Sequence, residues 1–205
     1  MAKVKFTKGE LKRQRDALKQ FLRYLPTLQL KKQQLQLEIL QQNAVLQKVG
    51  QSLEKKRQGI LAWAGLLSES PEGVRPFLKP EKTLTRSKNI AGVDVPIFDS
   101  LVFATAEYDL FLTPLWFDNA VQSLREMVAL EREIGILREG IEILRRELRV
   151  TTQRVNLFEK VKIPEAEENI RLIKIYIGDQ MANAVGRSKI AKRKIEGLVR
   201  EEAMV

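Results

Sequence analysis

The sequence of 205 residues predicts a mainly α-helical fold: a long antiparallel left-handed coiled coil of two helices, with a short β-hairpin insert at the end opposite the termini. Two observations predict this fold. Apolar residues recur with alternating three- and four-residue spacing over residues 18–67 and again over residues 116–158. Between these stretches, residues 81–113 are rich in β-branched residues and contain a turn signal.

The first helix is expected from about Thr7 to Ser68. Fifteen positions follow the three-and-four spacing from Leu18 to Leu67, and twelve of them are apolar. The exceptions are Lys32, Gln42 and Lys56. Seven such repeats are typical of a left-handed coiled coil. At the start, Thr7 with Glu10 three residues later forms a capping-box pattern.

The second helix is expected from about Pro114 to near Arg200. Eleven of thirteen positions with the same spacing from residue 116 to residue 158 are apolar. Beyond Pro164 the stripe resumes one residue out of phase, at Ile170, Ile173, Ile177 and Met181, and then weakens. A proline inside a helix removes a hydrogen bond and clashes with the carbonyl four residues earlier, at a cost of about 3 kcal/mol. We expect Pro164 and the phase change to be one event, a bend that re-aims the second helix against the first.

A short hairpin is expected between the helices, at residues 83–90 and 93–98, with its turn near Ala91 and Gly92. Pro96 would lie at an edge or a bulge, because proline cannot donate a backbone hydrogen bond. Two long helices joined by a compact insert pair antiparallel, which brings both termini to one end. The expected divisions are residues 1–69 for the N-terminal helix, 70–115 for the connecting region and 116–205 for the C-terminal helix.

The composition argues against catalysis by this chain. It contains neither cysteine nor histidine, which removes thiolate chemistry, the commonest general base and the commonest metal ligand. Neither a Walker A nor a GxGxxG pattern occurs. Glu165, Glu167 and Glu168 follow Pro164 in a first helical turn, where acidic residues favour the helix dipole. We expect no enzyme activity, cofactor or metal, and, without a signal peptide or long apolar run, a soluble intracellular protein.

The net charge of +10 is concentrated at the two ends of the chain. Residues 1–19 hold seven basic and two acidic residues, and residues 187–205 hold six basic and three acidic. In an antiparallel pair these ends form one positive tip. The tip admits three interpretations: a solvated surface, a nucleic-acid footprint, which few nearby aromatic residues support, or a contact inside a protein sleeve. The candidate contacts are Lys3, Lys5, Lys8, Lys12, Arg13, Arg187, Lys189, Lys192, Arg193 and Lys194.

Three blocks of sequence resemble the D subunits of the V-type and archaeal-type ATPases. They are TKGELKRQRDAL with TLQLKKQQL (7–35), NIAGVDVPIF (89–98) and QRVNLFEKVKIPEAEENI (153–170). Their order and spacing cover nearly the whole chain. The positions that match the family motifs are Thr7, Glu10, Leu11, Asn89, Gly92, Pro96, Arg154, Val155, Asn156, Ile163, Pro164 and Glu167.

The resemblance implies a non-catalytic central rotor shaft that transmits torque between nucleotide chemistry in a catalytic ring and proton or sodium transport through a membrane ring. It implies as partners the catalytic and non-catalytic ring subunits (A and B), the small F subunit of the rotor and the subunit that couples the shaft to the membrane ring. It also implies a cytoplasmic location within a membrane-associated complex, without membrane insertion or nucleic acid. The alternative is a free-standing coiled-coil adaptor or a basic nucleic-acid-binding helical hairpin.

Overall fold

The computed structural model describes residues 5–69, 73–105, 108 and 113–202, apart from the side chains of residues 68, 69, 198 and 200–202. Its long elements are α1 (Lys8–Leu61), β1 (Pro80–Ile90), β2 (Val93–Phe103), α2 (Phe117–Leu157) and α3 (Ile163–Glu202). A single π-helical turn, Phe158–Lys162, joins α2 to α3. The chain divides into two compact units, one of Met1–Gln29 with Gln153–Val205 and one of Leu30–Thr152.

The start of α1 is capped as the sequence predicts. The Glu10 amide donates to Thr7 Oγ1 at 3.2 Å, and the Leu11 amide donates to the Thr7 carbonyl at 3.0 Å. The first bond satisfies one of the amides that a helix leaves free at its N-terminus, and the second is the first hydrogen bond of the helix itself. At the other end α1 stops at Leu61, seven residues before the expected Ser68, and a 3₁₀ segment follows at Ala64–Glu69.

In the unit of residues 30–152, α1 and α2 pair antiparallel, as predicted. Lys31 Nζ lies 2.7 Å from Glu147 Oε1, and Lys56 pairs with Glu126. Residues later in α1 therefore pair with residues earlier in α2, which shows that the two helices run antiparallel. Leu35 and Leu144, both on the predicted stripes, are fully buried between the helices. Burying an aliphatic side chain of this size contributes about 1.5–3 kcal/mol.

The hairpin is antiparallel and longer than predicted, with eleven residues in each strand. Its two-residue turn has φ +51° at Ala91 and +78° at Gly92, and positive φ at both positions is the geometry of the type I′ turns that close tight hairpins. Asn89 fixes the turn, since its Oδ1 accepts from the Gly92 amide at 3.1 Å. Pro96 stands opposite Ser87 in a two-stranded sheet, which has no central strand, so its predicted edge position is confirmed.

The hairpin packs along α2 rather than standing apart from it. Near its turn, Ile90 and Val95 are buried in one cluster with Leu35 and Leu144. Near its base, Arg125 of α2 donates from Nε to the Phe77 carbonyl at 2.9 Å and from Nη2 to the Ala104 carbonyl at 2.8 Å. The helix α2 is therefore covered on two sides, by α1 and by the hairpin.

A second cluster closes the region where α1 ends and α2 begins. Phe117 lies at the centre of this cluster and is 2% exposed. The rings of Phe77 and Tyr108 meet the Phe117 ring edge-on, with their centroids 5.8 and 4.9 Å from its centroid. Trp63 and Trp116 pack against the same cluster. Edge-to-face aromatic pairs add about 0.5–1.5 kcal/mol each to the burial of the rings.

In the other unit, the start of α1 pairs antiparallel with the end of α2 and with α3. The Phe21 ring lies 5.3 Å from the Phe158 ring, and the Phe6 ring lies 5.2 Å from the Tyr176 ring. Past this last pair α3 has no covering element among the described residues. The predicted continuation of the stripe is exposed there, with Met181 at 51%.

The π turn explains the phase change that the sequence shows around Pro164. The Ile163 amide donates to the carbonyl of Phe158, five residues earlier, so this turn holds one residue more than an α-helical turn. One extra residue moves the seam from Val155 to Ala166, Ile170 and Ile173, all buried. Pro164 has no amide to donate to the carbonyl of Lys160, and its ring would clash with that carbonyl in α geometry. Pro164 and the phase change thus coincide at one π turn, Phe158–Lys162, whereas the expected bend of the helix stays a prediction.

Candidate functional site

The predicted basic residues lie on exposed surface of one unit. Lys5, Lys8, Lys12 and Arg13 are exposed around the start of α1, and Lys3 lies outside the described residues. Arg13 forms an ion pair with Glu10, at 3.9 Å. An exposed pair at that distance contributes little to stability, so these cations stay available to a partner.

The second basic group lies in the part of α3 that no other described element covers, which we call the terminal segment (residues 181–202). Its exposed cations are Arg187, Lys189, Lys192, Arg193 and Lys194. At about 100° per residue they point in several directions around the helix. The segment therefore presents positive charge over about 220° of its circumference, and Lys192 with Glu196 at 3.7 Å is its single ion pair among the described residues.

The apolar stripe of α3 runs on into the terminal segment. Met181, Val185, Ile195 and Val199 are each between 51% and 61% exposed. Large apolar side chains left this open on one helix are typical of a surface that meets another protein. The segment thus combines an uncovered apolar stripe with positive charge around most of the rest of the helix.

Two of the three carboxylates after Pro164, those of Glu165 and Glu168, form surface ion pairs. Lys162 Nζ donates to Glu165 Oε2 at 3.2 Å, and Arg171 donates to both oxygens of Glu168 at 2.8 and 2.7 Å. Those bonds lower the pKa of Glu168 and raise the pKa of Arg171. Among the described residues, no three acidic, cysteine or histidine residues converge as a metal site would require.

The remaining motif residues have structural positions. Leu11 and Ile163 are half-buried in the seam, and Val155 is 3% exposed. Arg154, Asn156, Pro164 and Glu167 lie toward the outer side of the helix that begins as α2 and continues as α3. The structure thus divides these motif residues into a buried group and an exposed group, and the exposed group is open to a partner.

Two residues that sequence reasoning missed position the hairpin. A Cβ added at Gly140 would lie 2.7 Å from Val95 Cγ1, so the close approach of the hairpin to α2 requires glycine there. Arg125 holds both ends of the insert and lies 5.0 Å from the centre of the Phe103 ring. A glycine in the interior of a helix lowers its stability by about 1 kcal/mol relative to alanine. The presence of Gly140 in a strongly helical pattern could therefore have indicated a close packing contact.

A pH-sensitive pair lies in the aromatic cluster. The hydroxyl of Tyr108 donates to Asp118 Oδ1, and this bond, with desolvation and the nearby carboxylate charge, raises the pKa of Tyr108 above its ordinary value of 10.0. The Tyr108–Asp118 hydrogen bond stabilises the fold fully below about pH 10, the pKa of tyrosine in the unfolded chain. This stabilisation is lost as the pH rises through the pKa of Tyr108 in the folded chain.

We therefore expect the free energy of unfolding to fall above about pH 10 in the unaltered chain and to fall less in Tyr108→Phe. Difference absorbance between the two proteins would place the Tyr108 titration above its ordinary midpoint. In Asp118→Asn that midpoint would return toward about 10. Identical alkaline unfolding curves for the unaltered chain and Tyr108→Phe would contradict the assignment.

None of the described helices contains a stretch that is apolar and long enough to cross a membrane. In comparison with known proteins, the family of ATP synthase D subunits matches residues 10–193. The chain is 45% identical to the V-type ATP synthase D subunit of Borreliella burgdorferi over 195 residues, which cover 95% of this chain and 96% of that protein. It is 36% identical to the protein of the same name from Chlamydia felis, over 95% of each chain.

Proposed function

Because the chain belongs to the family of ATP synthase D subunits, we propose that it is the central rotor shaft of a V-type ATP synthase. In this role it transmits torque between ATP hydrolysis or synthesis in the catalytic ring and proton or sodium transport through the membrane ring. It performs no chemistry itself. Its proposed site is on the cytoplasmic side, as part of a membrane-associated complex.

The antiparallel seam is the observation that carries this proposal beyond the family name. All fifteen predicted seam positions of residues 18–67 except Lys56 are buried or half-buried, and so are all thirteen predicted positions of residues 116–158. Each side chain in such a seam is held between neighbours on the facing helix. Two helices locked in this way resist twisting better than one, which is the property that a shaft requires.

The terminal segment supports contact inside the ring. A helix surrounded by other subunits meets partner surface in every direction, and the segment has exposed cations over most of its circumference with an exposed apolar stripe along the remaining side. A nucleic-acid groove would instead favour cations gathered along one face. We therefore favour a protein sleeve, formed by the A and B subunits, over the alternatives of a nucleic-acid-binding hairpin and a free-standing adaptor.

Further partners follow from the same assignment. We propose that the unit of residues 30–152, which contains the hairpin, contacts the small F subunit of the rotor and the subunit that seats the shaft on the membrane ring. This unit offers exposed hairpin edges and exposed helix surface for both. Nucleic acid and direct membrane insertion have no place in the proposal.

Truncation after Gln180 tests the role of the terminal segment. Since the described residues beyond this point that have a placed side chain are exposed, the truncated chain should keep its unfolding free energy to within about 0.5 kcal/mol, as surface changes usually do. It should bind the ring of A and B subunits more weakly in co-purification, and reconstituted ATP hydrolysis should couple less to ion transport.

A matched variant separates charge from shape. Replacing Lys192, Arg193 and Lys194 by glutamine keeps the helix, so a loss of ring binding would assign that binding to charge. The proposed function first requires that the unaltered chain co-purify with the ring subunits in a fixed ratio. Salt-sensitive binding to DNA, without ring subunits, would instead favour the nucleic-acid alternative.

A further inference from the structure

The terminal segment has an apolar side and a basic side. At about 100° per residue, four large apolar side chains fall within about 80° of one another around the helix axis, and each is between 51% and 61% exposed. They are Met181, Val185, Ile195 and Val199. Of the five cations in residues 187–194, only Lys192 falls on this side. The segment is therefore an amphipathic helix whose apolar side no other described element covers.

The charge of α3 changes sign at the point where the helix becomes uncovered. Residues 163–180 carry four acidic and two basic residues, a net charge of −2. Residues 181–195 carry five basic residues and no acidic one, a net charge of +5. Solubility alone does not explain the difference, because an exposed surface is served equally well by a mixture of both signs. The uncovered stretch therefore has the charge that suits an anionic partner.

An anionic phospholipid membrane fits both sides of this helix at once. Basic amphipathic helices bind in the plane of such a surface, with their apolar side chains among the acyl chains and their cations beside the phosphates. Lys192, which falls on the apolar side, can bury its apolar stem and keep its ammonium group at the phosphates. Duplex nucleic acid offers phosphates but no apolar layer for the stripe, and a second copy of this chain brings the same positive charge.

We propose that the terminal segment of the unassembled chain binds the surface of an anionic phospholipid membrane. It lies in the plane of the headgroups, with its apolar stripe toward the acyl chains, and it does not cross the membrane. Under the proposed function the same segment is inside the ring of A and B subunits once the complex has assembled, so membrane binding and ring binding exclude each other. Only this exclusion rests on the proposed function, because the membrane binding itself requires no other subunit.

Two isoleucines of the terminal segment provide a matched pair for the test. Ile190 and Ile195 are 58% and 61% exposed on the same helix, so replacing either one should affect folding equally little. About 140° separates them around the helix axis, and only Ile195 lies on the apolar side. A membrane surface meets one side of a helix, whereas a protein sleeve meets both. Membrane binding should therefore depend on Ile195 and not on Ile190.

Vesicle flotation of the full chain measures this binding. The chain should float with vesicles of phosphatidylglycerol and phosphatidylcholine in equal parts, and it should not float with vesicles of phosphatidylcholine alone. About 0.5 M NaCl should weaken the binding, since salt screens the attraction to the phosphates. Ile195→Gln should lower the vesicle partition coefficient at least about fivefold, because a buried apolar side chain is lost. Ile190→Gln should lower it less than about twofold.

Single thiols then report which side of the helix faces the acyl chains, because the chain contains no cysteine. Val185→Cys places a thiol on the apolar side, and Ile190→Cys places one about 140° away. Both original side chains are more than half exposed, at 55% and 58%. With a nitrobenzoxadiazole label on each thiol, addition of the phosphatidylglycerol vesicles should shift the emission of labelled Val185→Cys to shorter wavelength. The emission of labelled Ile190→Cys should not shift.

Three results would overturn the membrane proposal: no flotation with anionic vesicles, equal losses in Ile190→Gln and Ile195→Gln, or undiminished flotation of the chain truncated after Gln180. The last would assign the binding to another basic surface of the chain. Failure here is distinguishable from failure of the proposed function. A chain that floats as expected but does not co-purify with ring subunits contradicts the proposed function alone. A chain that co-purifies but does not float contradicts the membrane proposal alone.

Discussion

Removal of Arg149 is expected to destabilise this protein far more than removal of Lys160, although both residues are exposed on one continuous helical path. Arg149 lies in regular α-helix, so its deletion turns the following residues by about 100°. That rotation takes Thr151, Val155 and Phe158 out of the seam. Lys160 lies in the π turn, where one residue is already in excess, so its deletion leaves an α-helical turn with the seam in phase on both sides.

Both deletions are best made together with Pro164→Ala, because an α-helical turn before proline would introduce a clash of about 3 kcal/mol. In that background we expect the Arg149 deletion to lower the free energy of unfolding by about 3 kcal/mol or more, from the burial lost at Val155 and Phe158. The Lys160 deletion should change it by less than about 1 kcal/mol. Urea unfolding followed by circular dichroism measures both values, and equal losses would show that the π turn does not set the phase.

Replacement of Gly140 by alanine is expected to change sign according to the residue at position 95. Alanine is favoured over glycine in a helix interior by about 1 kcal/mol. Here that gain competes with a Cβ that would lie 2.7 Å from Val95 Cγ1, and Val95 is stiff and 4% exposed. Overpacking of this kind costs about 1–3 kcal/mol, so Gly140→Ala should destabilise the unaltered chain by about 1 kcal/mol.

In the Val95→Ala background the same substitution should stabilise by about 1 kcal/mol, since the competing methyl group is gone and helix propensity remains. Gly135→Ala is the control on the same helix, because nothing lies within 4 Å of a Cβ added there. It should stabilise in both backgrounds. A Gly140→Ala effect that does not depend on residue 95 would contradict the close approach of the hairpin.

The seam could be predicted from sequence because its signal is local and repeated. Each seam position is one of many at the same spacing, so single exceptions such as Lys32 and Thr151 do not hide the period. Thr151 illustrates this tolerance, since it is polar and yet only 1% exposed. The shift of phase at Pro164 was visible in the same pattern, and the structure explains it by a π turn.

The contacts of the hairpin could not be predicted in the same way. Val95 meets Gly140, and Arg125 meets Phe77 and Ala104, across gaps in sequence that carry no period. Prediction from composition recognised the turn at Gly92 but ended the second strand at residue 98, because the pairing that extends it to Phe103 depends on the facing strand. Strand length in a hairpin is a property of two segments together.

The functional surfaces were also partly predictable from the sequence and partly set by the fold. The positive charge at both chain ends could be read directly from the residues, since charge requires no partner to be recognised. That the terminal segment lies uncovered depends on which neighbours the fold supplies. By itself, the sequence determined the two-helix seam, the cap and the turn, because these arise from spacing and local backbone chemistry. The tertiary structure alone decided where the hairpin lies and which helix sides remain open, because burial is set by residues distant in the chain.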